Sequence, residues 1–126
     1  MNILVVAPYL PYPLDEGGKI RIFNLMYNLS KAGHNIDFIS LIYSESEKIY
    51  VEVMKEFCRE VKVIYHCPPP RSSNLINKTS RALFALPDLI TKRYNKEMQD
   101  AIDKQLDANK YDIINTMEVL RFCFNR

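Results

Sequence analysis

Residues 3–29 constrain the fold of this chain more than any other stretch. A continuous apolar run, Ile3-Leu4-Val5-Val6-Ala7, stands almost at the amino terminus. Its length and β-branched content suit a strand buried on both faces of a parallel sheet. Pro8, Pro11 and Pro13 follow, which forbid helix and regular ladder and hold the chain extended as it leaves the sheet. Asp15-Glu16-Gly17-Gly18 then leads into Lys19-Ile20-Arg21 and a helical pattern. Glycines at a helix start leave amide N–H groups bare at the positive end of the helix dipole, an arrangement that suits a phosphate. Lys19 and Arg21 are cations in a turn where the dipole disfavours them. Either Asp15 and Glu16 compensate them, or an anionic ligand does.

The helix spans 19–32, with Ile22, Leu25, Met26, Leu29 and Ala32 on one face and Asn24, Asn28 and Lys31 on another. Gly33 is placed to end it, and His34-Asn35 turns the chain into a second strand over 36–42. Ser44 and Glu47 have capping-box spacing for a helix reaching about residue 58, with Val53, Met54 and Phe57 as its inner stripe. A short β-branched strand follows over 61–65. Such alternation predicts a doubly wound parallel sheet of the α/β class.

Pro68-Pro69-Pro70 interrupts the pattern, and 75–86 reads as a short helix stopped by Pro87. From Arg71 to Lys96 six cations (Arg71, Lys78, Arg81, Lys92, Arg93 and Lys96) face one acid, Asp88. A basic amphipathic stretch of this kind is either a solvated face or a patch that docks on anionic lipid. Asn95 is placed to cap a further helix that turns Met98, Ala101, Ile102 and Leu106 inward. A fourth strand covers 111–116, and Met117 to Arg126 begins another apolar pattern.

Bulk properties narrow the partners. The net charge of +2 is too small to argue for nucleic acid. No apolar run approaches the roughly 20 residues that span a bilayer, and the amino terminus lacks a basic signal-peptide region. A cytoplasmic chain is expected, at the inner face of the membrane if the basic stretch docks there. Cys58, Cys67 and Cys123 match neither a disulfide framework nor a zinc pattern, and His34 and His66 do not complete one. Reduced structural thiols are expected.

The run Pro11-Tyr12-Pro13, Asp15-Glu16-Gly17-Gly18 and Arg21, then Leu29-Ser30-Lys31-Ala32-Gly33-His34 before an apolar strand, resembles the start of a GT-B glycosyltransferase. It is similar in particular to the family-4-type N-terminal domain of polysaccharide and glycolipid biosynthesis. Pro87, Arg93-Tyr94, Tyr111-Asp112-Ile113-Ile114 and Glu118 extend the likeness more loosely. The resemblance implies a Rossmann-like sheet of about four strands in the order 3-2-1-4, with helices on both faces. It implies one partial domain over 1–126, the acceptor-side half of a retaining glycosyltransferase, without the half that grips the nucleotide sugar. In that reaction Gly17, Gly18, Lys19 and Arg21 would stabilise the departing diphosphate of a nucleoside diphosphate sugar. Tyr12 and Glu118 would belong to the pocket for a glycan or lipid-linked acceptor. No metal or other cofactor is expected. The resemblance puts a polar residue just before Glu118, where Met117 stands and can neither take nor give a proton usefully. A non-catalytic Rossmann-like docking or anion-binding module and a decayed fragment remain alternatives. An edge position for strand four predicts a homo-oligomer or dependence on a partner such as a separate C-terminal half.

Overall fold

The first apolar run becomes the hub of the sheet. Strand β1 (Asn2–Ala7) pairs in parallel with β2 (Asn35–Ile42) on one side and with β4 (Ile113–Thr116) on the other, and β2 pairs in parallel with β3 (Glu60–Tyr65). The resulting order is β3-β2-β1-β4, the expected 3-2-1-4. A computed structural model describes residues 1–66 and 96–117 of the chain. The expected helix at 75–86, Asn95 and the segment after Met117 lie outside the described residues.

Helices cover both faces. Along β1 the side chains alternate, and each set finds its own core. Ile3, Val5 and Ala7, with Ile36, Phe38 and Ile42 of β2, pack under α1 (Gly17–Lys31) and α2 (Val51–Lys55) through Ile22, Met26 and Met54. Leu4, Val6, Ile39 and Leu41 point the other way and meet Met98, Ile102 and Leu106 of α3 (Lys96–Ala108). Burial on both sides explains why β1 reads as an unbroken apolar run from Ile3 to Ala7 and β2 as a largely apolar one, interrupted by Asp37 and Ser40. The class is therefore Rossmann-like α/β.

Two local expectations need correction. Leu25 and Ala32 were placed on the inner face of α1, yet Leu25 is 38% exposed and Ala32 is exposed. The inner line of the helix is Ile22, Met26 and Leu29, at spacings of four and three, and Leu25 falls just outside that arc. The single helix expected to reach residue 58 is instead a 3-10 segment, Glu45–Tyr50, running into the short α2. Its start is as expected: Glu47 accepts the backbone N–H groups of Tyr43 at 2.6 Å and Ser44 at 3.1 Å. The carboxylate thereby completes a capping box with Ser44.

Gly33 ends α1 as the glycine signal requires. Its φ of +93° lies where a side chain is strained. The His34 N–H reaches the Leu29 carbonyl and the Gly33 N–H reaches that of Ser30, so two orphan carbonyls of the last turn are satisfied in a Schellman arrangement.

Candidate functional site at the carboxyl rim

Ligands of open parallel sheets sit beyond the carboxyl ends of the strands. At that rim the chain places the 8–16 loop after β1, Tyr43 and Ser44 after β2, His66 after β3 and Met117 after β4. Gly17 and Gly18 are the first two residues of α1, so the helix starts two residues before the expected Lys19, and both are exposed. A methyl group placed on Gly17 would meet no atom within 4 Å. Glu16 occupies the N-cap position but makes no side-chain bond back to the helix.

The cations at this mouth are not equivalent. Lys19 Nζ donates to Asp15 Oδ1 at 2.9 Å. That bond, followed by the charges of Asp15, Glu16 and Glu47, raises the pKa of the ammonium, while the same bond lowers that of the Asp15 carboxyl. Of the two ways of balancing Lys19, the chain's own acid supplies the first. Asp15 is well exposed, so the pair is of the kind that water and salt weaken. Arg21 is exposed on the next turn.

Beside the mouth, the half-buried ring of Tyr12 packs against Tyr50 at 5.3 Å and against Phe23 at 6.0 Å. Phe23 continues to Phe57 edge-on at 5.2 Å. This seam joins the proline loop to α1, the 3-10 segment and the residues just after α2. Across the rim, Tyr43 donates its hydroxyl to the Pro8 carbonyl at 2.9 Å and meets the buried His66 ring edge-on at 5.8 Å. These aromatic contacts give the loop a fixed base without charge.

Of the expected lipid patch, Lys96 is exposed at the start of α3. Arg71, Lys78, Arg81, Lys92 and Arg93 lie outside the described residues, as does Glu118. Among the described residues no helix is long and apolar enough to cross a membrane, and no three His, Cys, Asp or Glu side chains gather as a metal site.

Among the described residues the most elaborate polar cluster, which sequence reasoning missed, is on the opposite rim. Asp37, near the amino end of β2, is buried and faces α3. Arg59 binds its carboxylate through two nitrogens, with Nε at 2.9 Å from Oδ1, and Tyr111 donates its hydroxyl to Oδ2 at 2.5 Å. Gln105 Nε2 reaches Tyr111 and Glu60 at 2.8 Å each, while Lys62 donates to Gln105 Oε1 at 2.8 Å. Burial alone would raise the Asp37 pKa, but the bonds from Arg59 and Tyr111 outweigh it and lower the value. Burial, then the hydrogen bond it gives to Asp37, pushes Tyr111 up to about 12. The one available signal was an acid inside an apolar strand, which must find partners when buried. An open cleft of about 350 Å³ between Ser30, His34, Phe57, Cys58 and Arg59 shares this rim and lies away from the glycine mouth.

Comparison with known proteins adds little to this geometry. A stretch of 60 residues is 30% identical to an uncharacterized 44.6 kDa protein in the cps region of Klebsiella pneumoniae. The match covers 48% of this chain and 16% of that protein. No family model and no solved structure matches the chain.

Proposed function

We propose that this chain is the acceptor-side, N-terminal domain of a retaining GT-B glycosyltransferase of polysaccharide or glycolipid synthesis. The observation that carries the proposal is the pair Gly17-Gly18 opening α1 at the carboxyl end of β1, with clear space above Gly17. A diphosphate there would accept from first-turn amides at the positive end of a helix of 15 residues. Charge develops on that diphosphate as the sugar carbon leaves it, so fixed amide dipoles would stabilise the transition state. Lys19 would exchange Asp15 for a phosphate oxygen, and Arg21 would add charge one turn on. Tyr12 and Glu118 would border the acceptor. The nucleotide sugar would need a second, donor-binding half, and the basic stretch ending at Lys96 would hold a lipid-linked acceptor at the membrane surface. The relative encoded in a cps region, a capsule polysaccharide region, lends support of the same kind.

The Asp15–Lys19 pair favours a second reading, a non-catalytic docking module of the same fold, because it already balances the mouth. Titration with uridine diphosphate separates the two. Selective shifts of the Gly17 and Gly18 amide signals are expected for the diphosphate site; unmoved signals across the titration leave the docking module.

A further inference from the structure

The loop that leads from β1 to the glycine mouth is held by the segment that follows β2. Pro8, Pro11 and Pro13 bring no N–H, so fewer donors of the loop's own can fasten it. Residues 43–50 meet it at successive points. The Tyr43 hydroxyl donates to the Pro8 carbonyl at 2.9 Å, at the root of the loop and 35 positions away in sequence. The Tyr50 ring packs on Tyr12 at 5.3 Å, in the middle of the loop. The Glu47 carboxylate adds to the negative charge that stabilises the Lys19 ammonium, just past the mouth. Tyr43 is itself braced. Glu47 accepts its backbone N–H at 2.6 Å, and the His66 ring lies edge-on to its own. His66 is fixed in turn by its N–H, which reaches the Ile42 carbonyl at 2.8 Å.

We propose that Tyr43 is a positioning residue for the glycine mouth. Its hydroxyl fixes where the loop leaves the sheet, and thereby where the Gly17 and Gly18 amides meet a nucleoside diphosphate. Pro8 is buried, and a buried carbonyl that loses its donor turns towards water or another partner. The fixed φ of each proline stiffens the loop, so a displacement at Pro8 is carried along it instead of being absorbed. Donors serve a developing charge only where they are aimed at it, and a misplacement of about 1 Å can cost roughly a hundredfold in rate. Tyr43 touches no reacting atom in this scheme; it acts through Pro8. The diphosphate rests on the glycosyltransferase reading, whereas the fastening of the loop does not.

Amide nitrogen relaxation of the full, unliganded chain, followed by titration with uridine diphosphate, tests the proposal. Tyr43→Phe keeps the ring on His66 and loses only the donor. It is expected to keep its far-ultraviolet circular dichroism spectrum and to show lower order parameters from Tyr9 to Gly18 than wild type. It should also bind uridine diphosphate several-fold more weakly. Tyr50→Phe loses a hydroxyl from the same segment but keeps its ring on Tyr12, and is expected to match wild type in both measurements. Tyr111→Phe, at the opposite rim, is expected to lower the urea midpoint and leave the mouth as rigid as before. Wild-type order parameters in Tyr43→Phe, or an equal loosening of the loop in Tyr111→Phe, would overturn the proposal. So would a loosened loop with unchanged affinity. A wild-type chain that binds no uridine diphosphate, with a loop that Tyr43→Phe still loosens, would overturn the diphosphate half together with the glycosyltransferase reading and uphold the fastening.

Discussion

Tyr111 donates its hydroxyl to the carboxylate of Asp37 across 2.5 Å, joining the turn before β4 to strand β2 over 74 positions of sequence. Arg59 holds the same carboxylate from the start of β3, and Gln105 approaches it from α3 at 3.4 Å. Three strands and a helix are thus fastened through one acid. Tyr111→Phe removes a hydrogen bond to a charged group and is expected to lower stability by about 1.5–3 kcal/mol. Asp37→Ala strands the donors around it and should cost more, about 3 kcal/mol, at the lower end for a broken buried pair because Arg59 is 42% exposed. Urea unfolding followed by circular dichroism measures both.

The same cluster sets the pH dependence of folding at its two extremes. Asp37 titrates lower in the folded chain than its ordinary value of 3.8, so its contribution is complete above that value. It is lost as pH falls through the folded value, because the unfolded chain takes up the proton first. Tyr111 behaves in the opposite sense. Folded, it keeps its proton up to about 12 against an ordinary 10, so stability falls as pH rises between those values. Thermal unfolding across pH should show Asp37→Asn flattening the acid limb and Tyr111→Phe flattening the alkaline one.

Gly33 has a conformational requirement that can be tested without touching any ligand. Alanine at a φ of +93° is expected to cost about 1–2 kcal/mol, through backbone strain alone. An unchanged urea midpoint in Gly33→Ala would contradict that strain.

Cys58 should be chemically silent. Burial, reinforced by the Asp37 charge, pushes its thiol up to about 12, so almost no thiolate exists at neutral pH. Site-resolved mass spectrometry after brief iodoacetamide treatment should find Cys58 unmodified in the native chain and fully modified in urea.

At the glycine mouth, Asp15 and Lys19 make opposite predictions. Asp15→Asn releases the ammonium and is expected to tighten binding of uridine diphosphate several-fold, whereas Lys19→Ala weakens it several-fold. Calorimetry at low and high salt checks both, and the difference between the variants should shrink as salt rises.

The legible and illegible parts of this chain divide by the range of the interactions that make them. The unbroken apolar run 3–7 and the largely apolar stretch 36–42 identified the buried parallel strands, and Gly33 and the Ser44–Glu47 pair marked their turns, because each is settled within a few residues. The parallel sheet followed from the alternation, and the strand order from the resemblance. Leu25 was misplaced because a helical face read from spacing alone has blurred borders, which only the packed neighbour sharpens. The 3-10 form of 45–50 escaped notice because its apolar spacing also fits an α-helix. The Asp37 cluster was beyond reach: the partners of Asp37 stand 22 to 74 positions from it, and nothing local links them to it. The exposed glycines and the Asp15–Lys19 spacing were visible, yet only the coordinates chose the acid over an open cation.

Among the described residues the buried charged fastening lies at the base of the strands, around Asp37, while the opposite loops rest on aromatic rings, backbone and exposed ion pairs. A scaffold anchored from below in this way tolerates replacement of its upper loops. Selection could therefore revise what the domain recognises without first having to rebuild the frame that presents it.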